Sequence, residues 1–117
     1  AIRLKRLNAE IVGVFGNNDG EKAGLLKELP MLVELAEFEH RQKRFAVYHG
    51  TINTVVDALV KSKKYDIVIT GHAPRPKIKN EDGVLLINPG EVCGYLEGKR
   101  TLCLLDLDTM HAEIREF

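Results

Sequence analysis

Residues 66–72, Asp66-Ile67-Val68-Ile69-Thr70-Gly71-His72, are a short apolar, β-branched run that stops abruptly at a glycine and a histidine. A run of this kind has no polar alternation. It suits a strand covered on both faces, the usual state of central strands in α/β proteins. Residues 11–15, Ile11-Val12-Gly13-Val14-Phe15, have the same character and end at Gly16-Asn17-Asn18-Asp19-Gly20, a turn cluster.

The remaining elements follow outward from these two runs. Residues 31–39 read as a strand with imperfect alternation, His40 to Arg44 as a hairpin tip, and Phe45-Ala46-Val47-Tyr48 as the return strand, ending in His49-Gly50. Ile52, Val55, Val56 and Leu59 fall at i, i+3, i+4 and i+7, which predicts an amphipathic helix that Thr51 would cap. Upstream, Ala23, Leu25, Leu26 and Leu29 stripe another helix. Asn18 and Glu21 have capping-box spacing for it, and Pro30 ends it. Pro74 and Pro76 keep the next segment extended or turning. Val84 to Ile87 is a strand ending in Asn88-Pro89-Gly90. Thr101 to Leu105 and Ala112 to Phe117 are the last two strands, with a turn around Asp108. Short connections favour neighbouring strands, so the last three are expected to form a consecutive antiparallel set.

The chain has 117 residues, 44% hydrophobic and 29% charged, which suits a single domain spanning 1–117. Seventeen basic and seventeen acidic residues give zero net charge, against a globally basic nucleic-acid binder and against a disordered acidic tail. No apolar run approaches the roughly 18 residues of a membrane span. There is no signal-peptide pattern, and Cys93 and Cys103 do not make a secreted disulfide framework. The expectation is a cytoplasmic protein with no membrane and no specific nucleic-acid partner. Residues 1–9 read as the end of a helix with no start signal, so the domain is expected to be incomplete at its N-terminus.

Four strands each end in a short polar loop with glycine: FGNND, YHG, TGH and INPG. Ligands of α/β sheets gather at the carboxyl ends of strands. If these strands are neighbours, the Asn17 amide oxygen and the His49 and His72 imidazoles converge on a site for zinc, manganese, iron or nickel. Spacing alone supplies no local ligand motif. Asn17 in an Asn-Asp-Gly cluster is also ordinary turn sequence, and each histidine is also an ordinary hydrogen-bonded strand end.

The ordered set GNND, HG, GH and NPG resembles the C-terminal part of the calcineurin-like metallophosphoesterases, in their YfcE-like phosphodiesterase branch. The stretches GNNDGEK and INPGEVCGYLEGKRTLCLLDLD are similar to that branch beyond the motifs. The resemblance implies an α/β fold, a β-sandwich flanked by helices, here N-terminally truncated. It implies a metal-dependent phosphodiesterase that cleaves a small phosphodiester substrate with a metal-activated hydroxide, using two divalent ions such as manganese, nickel, zinc or iron. By motif, Asn17, His49 and His72 would be ligands of one ion. Asn18 occupies the place where many members of the superfamily carry a catalytic histidine, and an amide is no general acid.

Two departures bear on activity. The family's opening Asp-x-His and Gly-Asp motifs do not occur in the 117 residues. Its Gly-His-Thr-His becomes Gly71-His72-Ala73-Pro74, so a histidine ligand of the other ion is replaced by proline. One metal site at most is retained, and the isolated chain is expected to be inactive. The alternative implied by the resemblance is a protein-binding scaffold, because the retromer subunit of this fold has a degenerate metal site. Missing strands of one sheet would leave apolar surface that a partner or a homo-oligomer covers.

Other features have simpler readings. Arg75, Lys77 and Lys79 alternate along an extended segment, either as a cationic rim for anionic substrates or as a charged edge strand. Lys61, Lys63 and Lys64 suit a helix C-terminus. Cys103 reads as core, Cys93 as a small buried residue, and His40 and His111 as turn residues at the surface.

Overall fold

The computed structural model describes residues 34–73, 75–90 and 98–117. The expected elements before residue 34, together with Asn17, Asn18, Pro74 and Cys93, lie outside these residues.

The described chain forms β1 (Leu35–His40), β2 (Lys43–Tyr48), α1 (Asn53–Lys61), β3 (Ile67–Ile69), β4 (Lys77–Glu81), β5 (Val84–Asn88), β6 (Thr101–Asp106) and β7 (His111–Glu116). Five strands make one mixed sheet in the order β1-β2-β3-β5-β4, and β6 and β7 make a second sheet of two. Strands β2, β3 and β5 run parallel, with Val47, Ile69 and Ile87 in register at their carboxyl ends. The expected β-sandwich with helix cover is therefore present in the described part.

Alternation along the strands explains the layers. Ala46, Val68 and Val84 point to one face, where they pack against Leu59 and Val60 of α1 and the ring of Tyr65. Their neighbours Phe45, Ile67 and Leu85 point to the other face with Ile87, where Cys103, Leu105 and Ala112 of the β6–β7 hairpin cover them. Ile67 and Val68 have no exposed surface, as the unbroken apolar run demands. Phe38 and Phe45 sit opposite each other across β1 and β2 with rings stacked 4.8 Å apart. This cross-strand aromatic contact holds the antiparallel edge to the parallel core.

The expected antiparallel set of β5, β6 and β7 is only half right. β6 and β7 pair from Thr101↔Glu116 to Asp106↔His111, but β5 pairs with β3 and β4. The reason is burial. β5 is covered almost throughout and needs strands on both sides, whereas β6 and β7 are half-exposed and serve as a lid on the sheet face. The chain changes layer between residues 89 and 100.

Smaller corrections concern turns and caps. The hairpin tip is only Arg41-Gln42, both at positive φ, rather than the whole of His40 to Arg44. Thr51 does not cap α1: the N-cap position is Ile52, and no side chain bonds there. Ile52 remains 55% exposed and Val60 is buried instead. His40 ends β1 and His111 opens β7, so both are exposed strand ends rather than turn residues. The segment after Pro76 is a strand, β4, paired to β5 and exposed over most of its length. Lys77 and Lys79 thus lie on a charged edge strand, and Lys77, at its start, also lines the cavity beside His72.

Asp66 sets the parallel register. Its N–H donates to the Arg44 carbonyl at 2.9 Å, its own carbonyl accepts from Leu85 N–H at 3.0 Å, and its carboxylate accepts from Arg44 N–H at 2.8 Å. The Arg44 backbone bond, then the guanidinium, hold the carboxyl below its ordinary value against the opposing effect of burial. A lowered carboxyl contributes stability that is present above the unfolded value, near pH 3.8, and lost as the pH falls through the lower folded value. Asp66→Asn keeps the acceptor and removes the charge. We expect the variant to be less stable than wild type at neutral pH by under about 1 kcal/mol. In urea titrations, the gap should close as the pH is taken below 3.8.

Candidate functional site

Parallel register brings three strand-end loops to one edge. His49 follows β2, Thr70 to Ala73 follow β3, and Asn88 to Gly90 close β5. The loops then bind one another. Gly71 N–H donates to the His49 carbonyl at 2.9 Å, and His72 N–H donates to the same oxygen. Thr70 N–H donates to the Ile87 carbonyl at 2.8 Å, so the ladder from β5 extends one residue past β3. Gly50 has φ +98°, and a Cβ there would stand 3.4 Å from the Cβ atoms of both Thr70 and His72. A glycine is required at that position because the backbone is left-handed and the His72 loop passes close by.

The two imidazoles meet edge to face, with ring centroids 5.1 Å apart and an interplanar angle of 83°. His72 Nδ1 lies 3.2 Å from His49 Nε2. Two imidazole nitrogens each about 2.0–2.1 Å from one ion at a tetrahedral angle stand about 3.3–3.4 Å apart. The observed gap fits a shared ion. It equally suits a hydrogen bond between two neutral rings, one donating and one accepting. Among the described residues, no three His, Cys, Asp or Glu side chains converge, so the histidine pair accounts for two positions of an ion's shell.

One residue of the site carries a role that motif reading missed. Asn88 is buried, its Nδ2 donates to the Ala73 carbonyl at 2.7 Å, and its Oδ1 accepts from Gly90 N–H at 2.9 Å. A single amide thus closes its own turn and ties down the loop that carries His72. Thr101, also buried, donates from Oγ1 to the Pro89 carbonyl at 2.9 Å and anchors that turn to β6. The available signal was an asparagine ending an apolar strand directly before Pro-Gly, where only a bonded amide tolerates burial.

A cavity of about 190 Å³ opens beside His72, between α1 and the ends of β4 and β5. A larger one, about 560 Å³, reaches the β1–β2 turn among Phe38, Phe45 and Leu105. It lies between the two sheets and reaches Ile69, the last residue of β3, but includes neither His49 nor His72. No helix of the described residues is long and apolar enough to cross a membrane.

Residues 2–110 match the calcineurin-like phosphoesterase superfamily domain. A phosphodiesterase of Methanocaldococcus jannaschii is 38% identical over 97% of this chain and 70% of its own length. The solved structure of an archaeal phosphodiesterase superposes with a TM-score of 0.93 at 34% identity, covering 99% of this chain and 74% of that one. The fold is shared more distantly by Vps29 of Entamoeba histolytica, solved in complex with zinc. There the TM-score is 0.59 at 18% identity, over 99% of this chain and 87% of that one.

Proposed function

The chain belongs to the calcineurin-like phosphoesterase superfamily, and from that premise we propose that it forms most of a phosphodiesterase domain acting on a small phosphodiester at the ends of β2, β3 and β5. The observation that carries this reading is the 3.2 Å approach of His49 Nε2 to His72 Nδ1 at the carboxyl edge of parallel strands. In the proposal these two nitrogens and the Asn17 amide oxygen hold a divalent ion: manganese, nickel, zinc or iron. Such an ion, when bound, would supply an activated hydroxide and neutralise charge that develops on the phosphoryl oxygens.

The chain's own residues do the rest. Gly50 leaves room for the His72 loop, and the His49 carbonyl and the Asn88 amide hold that loop in place. Fixed ligands bind an ion without an ordering penalty. Asn18 stands in our reading where a proton donor would be, and an amide does not donate a proton to a leaving group. Substrates with good leaving groups therefore suit the site. The 117 residues contain no Asp-x-His or Gly-Asp, and Pro74 follows Ala73 where a second histidine would serve the other ion. We infer that the isolated chain holds one ion weakly and does not turn over.

The test is a metal titration of the 117-residue chain, followed by histidine ring resonances and by calorimetry with manganese or nickel. Weak binding at one site, abolished in His49→Ala, is the expected result. No hydrolysis of bis-p-nitrophenyl phosphate above background is expected with either metal added. Binding that is unchanged in both His49→Ala and His72→Ala would remove the proposed site. Robust turnover lost in His72→Ala would show instead that one ion on neutral ligands is sufficient.

A further inference from the structure

The cavity beside His72 has a composition of its own. Its floor is apolar, from Val56 of α1 and Leu86 of β5, and its rim carries Asn53 and Lys77. No carboxylate lines it among the described residues. Lys77 opens β4 and pairs directly with Asn88, so the strand register places it at the same edge as His72, where it lines the cavity. Lys79, two residues on, lies 3.9 Å from Glu81. Lys77 has no such carboxylate among the described residues, and Asn53 makes no hydrogen bond there. An unneutralised cation beside an apolar floor, next to the His72 imidazole, suits a short carbon chain that ends in an anion.

We infer that this cavity is a subsite for one alcohol of the phosphodiester, and that Lys77 selects an alcohol bearing its own negative charge, a carboxylate or a second phosphate. The inference rests on the phosphodiesterase reading above and deepens it. Val56 and Leu86 cover the carbon atoms of that alcohol, Asn53 supplies an amide at the rim, and Lys77 meets the terminal anion. The cavity volume of about 190 Å³ admits a small alcohol.

The experiment uses two probes of matched size in metal-free buffer: 2-phosphoglycolate, which ends in a carboxylate, and ethyl phosphate, which ends in a methyl. Binding to the 117-residue chain is followed by the Asn53 amide and the Val56 and Leu86 methyl resonances. An exposed lysine–carboxylate contact predicts about a fivefold preference for phosphoglycolate. The preference should fall below about twofold in Lys77→Met and persist in Lys77→Arg and Lys79→Met. Lys77 is exposed, so these variants should fold, and the amide spectrum checks it. Equal affinity for the two probes in wild type, or no measurable binding of phosphoglycolate, would overturn the inference, as would a preference that survives Lys77→Met or is lost equally in Lys79→Met. Because no metal is present, these outcomes are independent of the ion titration. Failure of ion binding in that titration removes the metal reading, whereas failure here with His49-dependent ion binding intact removes only the subsite.

Discussion

Gly90→Ala should destabilise the domain by about 2–5 kcal/mol. Gly90 has φ +83°, and a Cβ on it would stand 2.1 Å from Thr101 Oγ1 and 3.1 Å from Pro76 Cδ. The left-handed backbone alone costs about 1–2 kcal/mol for a residue with a Cβ. Crowding in a packed region adds about 1–3 kcal/mol. Against a total stability of roughly 5–15 kcal/mol, that is a large loss, visible in urea or thermal unfolding as a fall in Tm of about 10 °C or more. The contact at fault is specific, so it can be isolated. Thr101→Ala gives up the bond to the Pro89 carbonyl but also removes the atom that a new Cβ would strike. The double variant should therefore be more stable than the sum of the two single losses by over about 1 kcal/mol. Strict additivity, or a Gly90→Ala variant within about 0.5 kcal/mol of wild type, would mean that the turn opens without resistance.

The same turn shows how far residue patterns reach. The β3 run, Ile67-Val68-Ile69, could be read as a covered strand because burial on both faces leaves no polar alternation to hide it. Its neighbours could not be read, since pairing partners are chosen by burial in three dimensions. β5 was expected beside β6, yet its covered residues required β3 and β4 on its flanks. β4 itself, Lys77-Ile78-Lys79-Asn80-Glu81, is nearly all exposed and polar. An edge strand needs no apolar face, and hydropathy does not report one. The Arg41-Gln42 turn carries neither glycine nor asparagine, although both residues are at positive φ. At the site, His49 and His72 were legible as polar residues that stop apolar strands. Their contact at 3.2 Å depends on parallel register between β2 and β3, which Asp66 fixes through backbone bonds that no motif encodes.

If the proposed ion is held by His49 and His72, Asn88→Leu is expected to weaken its binding by tenfold or more, the range of about 10–100-fold seen when residues that orient metal ligands are lost. The hydrogen bonds of the Asn88 side chain among the described residues go to the loop backbone rather than to an imidazole. The Asn88 amide donates to the Ala73 carbonyl and accepts from Gly90 N–H. Leucine fills a similar volume and offers neither bond. The Gly90 N–H loses its acceptor in a half-buried turn, and the Ala73 loop loses its tie to β5, for about 2–3 kcal/mol of stability. A general loss of stability and a specific loss of His72 positioning predict different things. Leu59→Ala, a change in the α1 core toward the far end of the helix, should destabilise by about 2–5 kcal/mol and leave ion affinity within about twofold in a fully folded sample. Asn88→Leu should lower affinity under the same conditions and shift the His72 ring resonances before any metal is added. Equal affinities in the two variants would assign Asn88 to stability alone. If the His72 resonances move with affinity, the buried amide holds the ligand loop, and the asparagine of the Asn-Pro-Gly turn acts through His72.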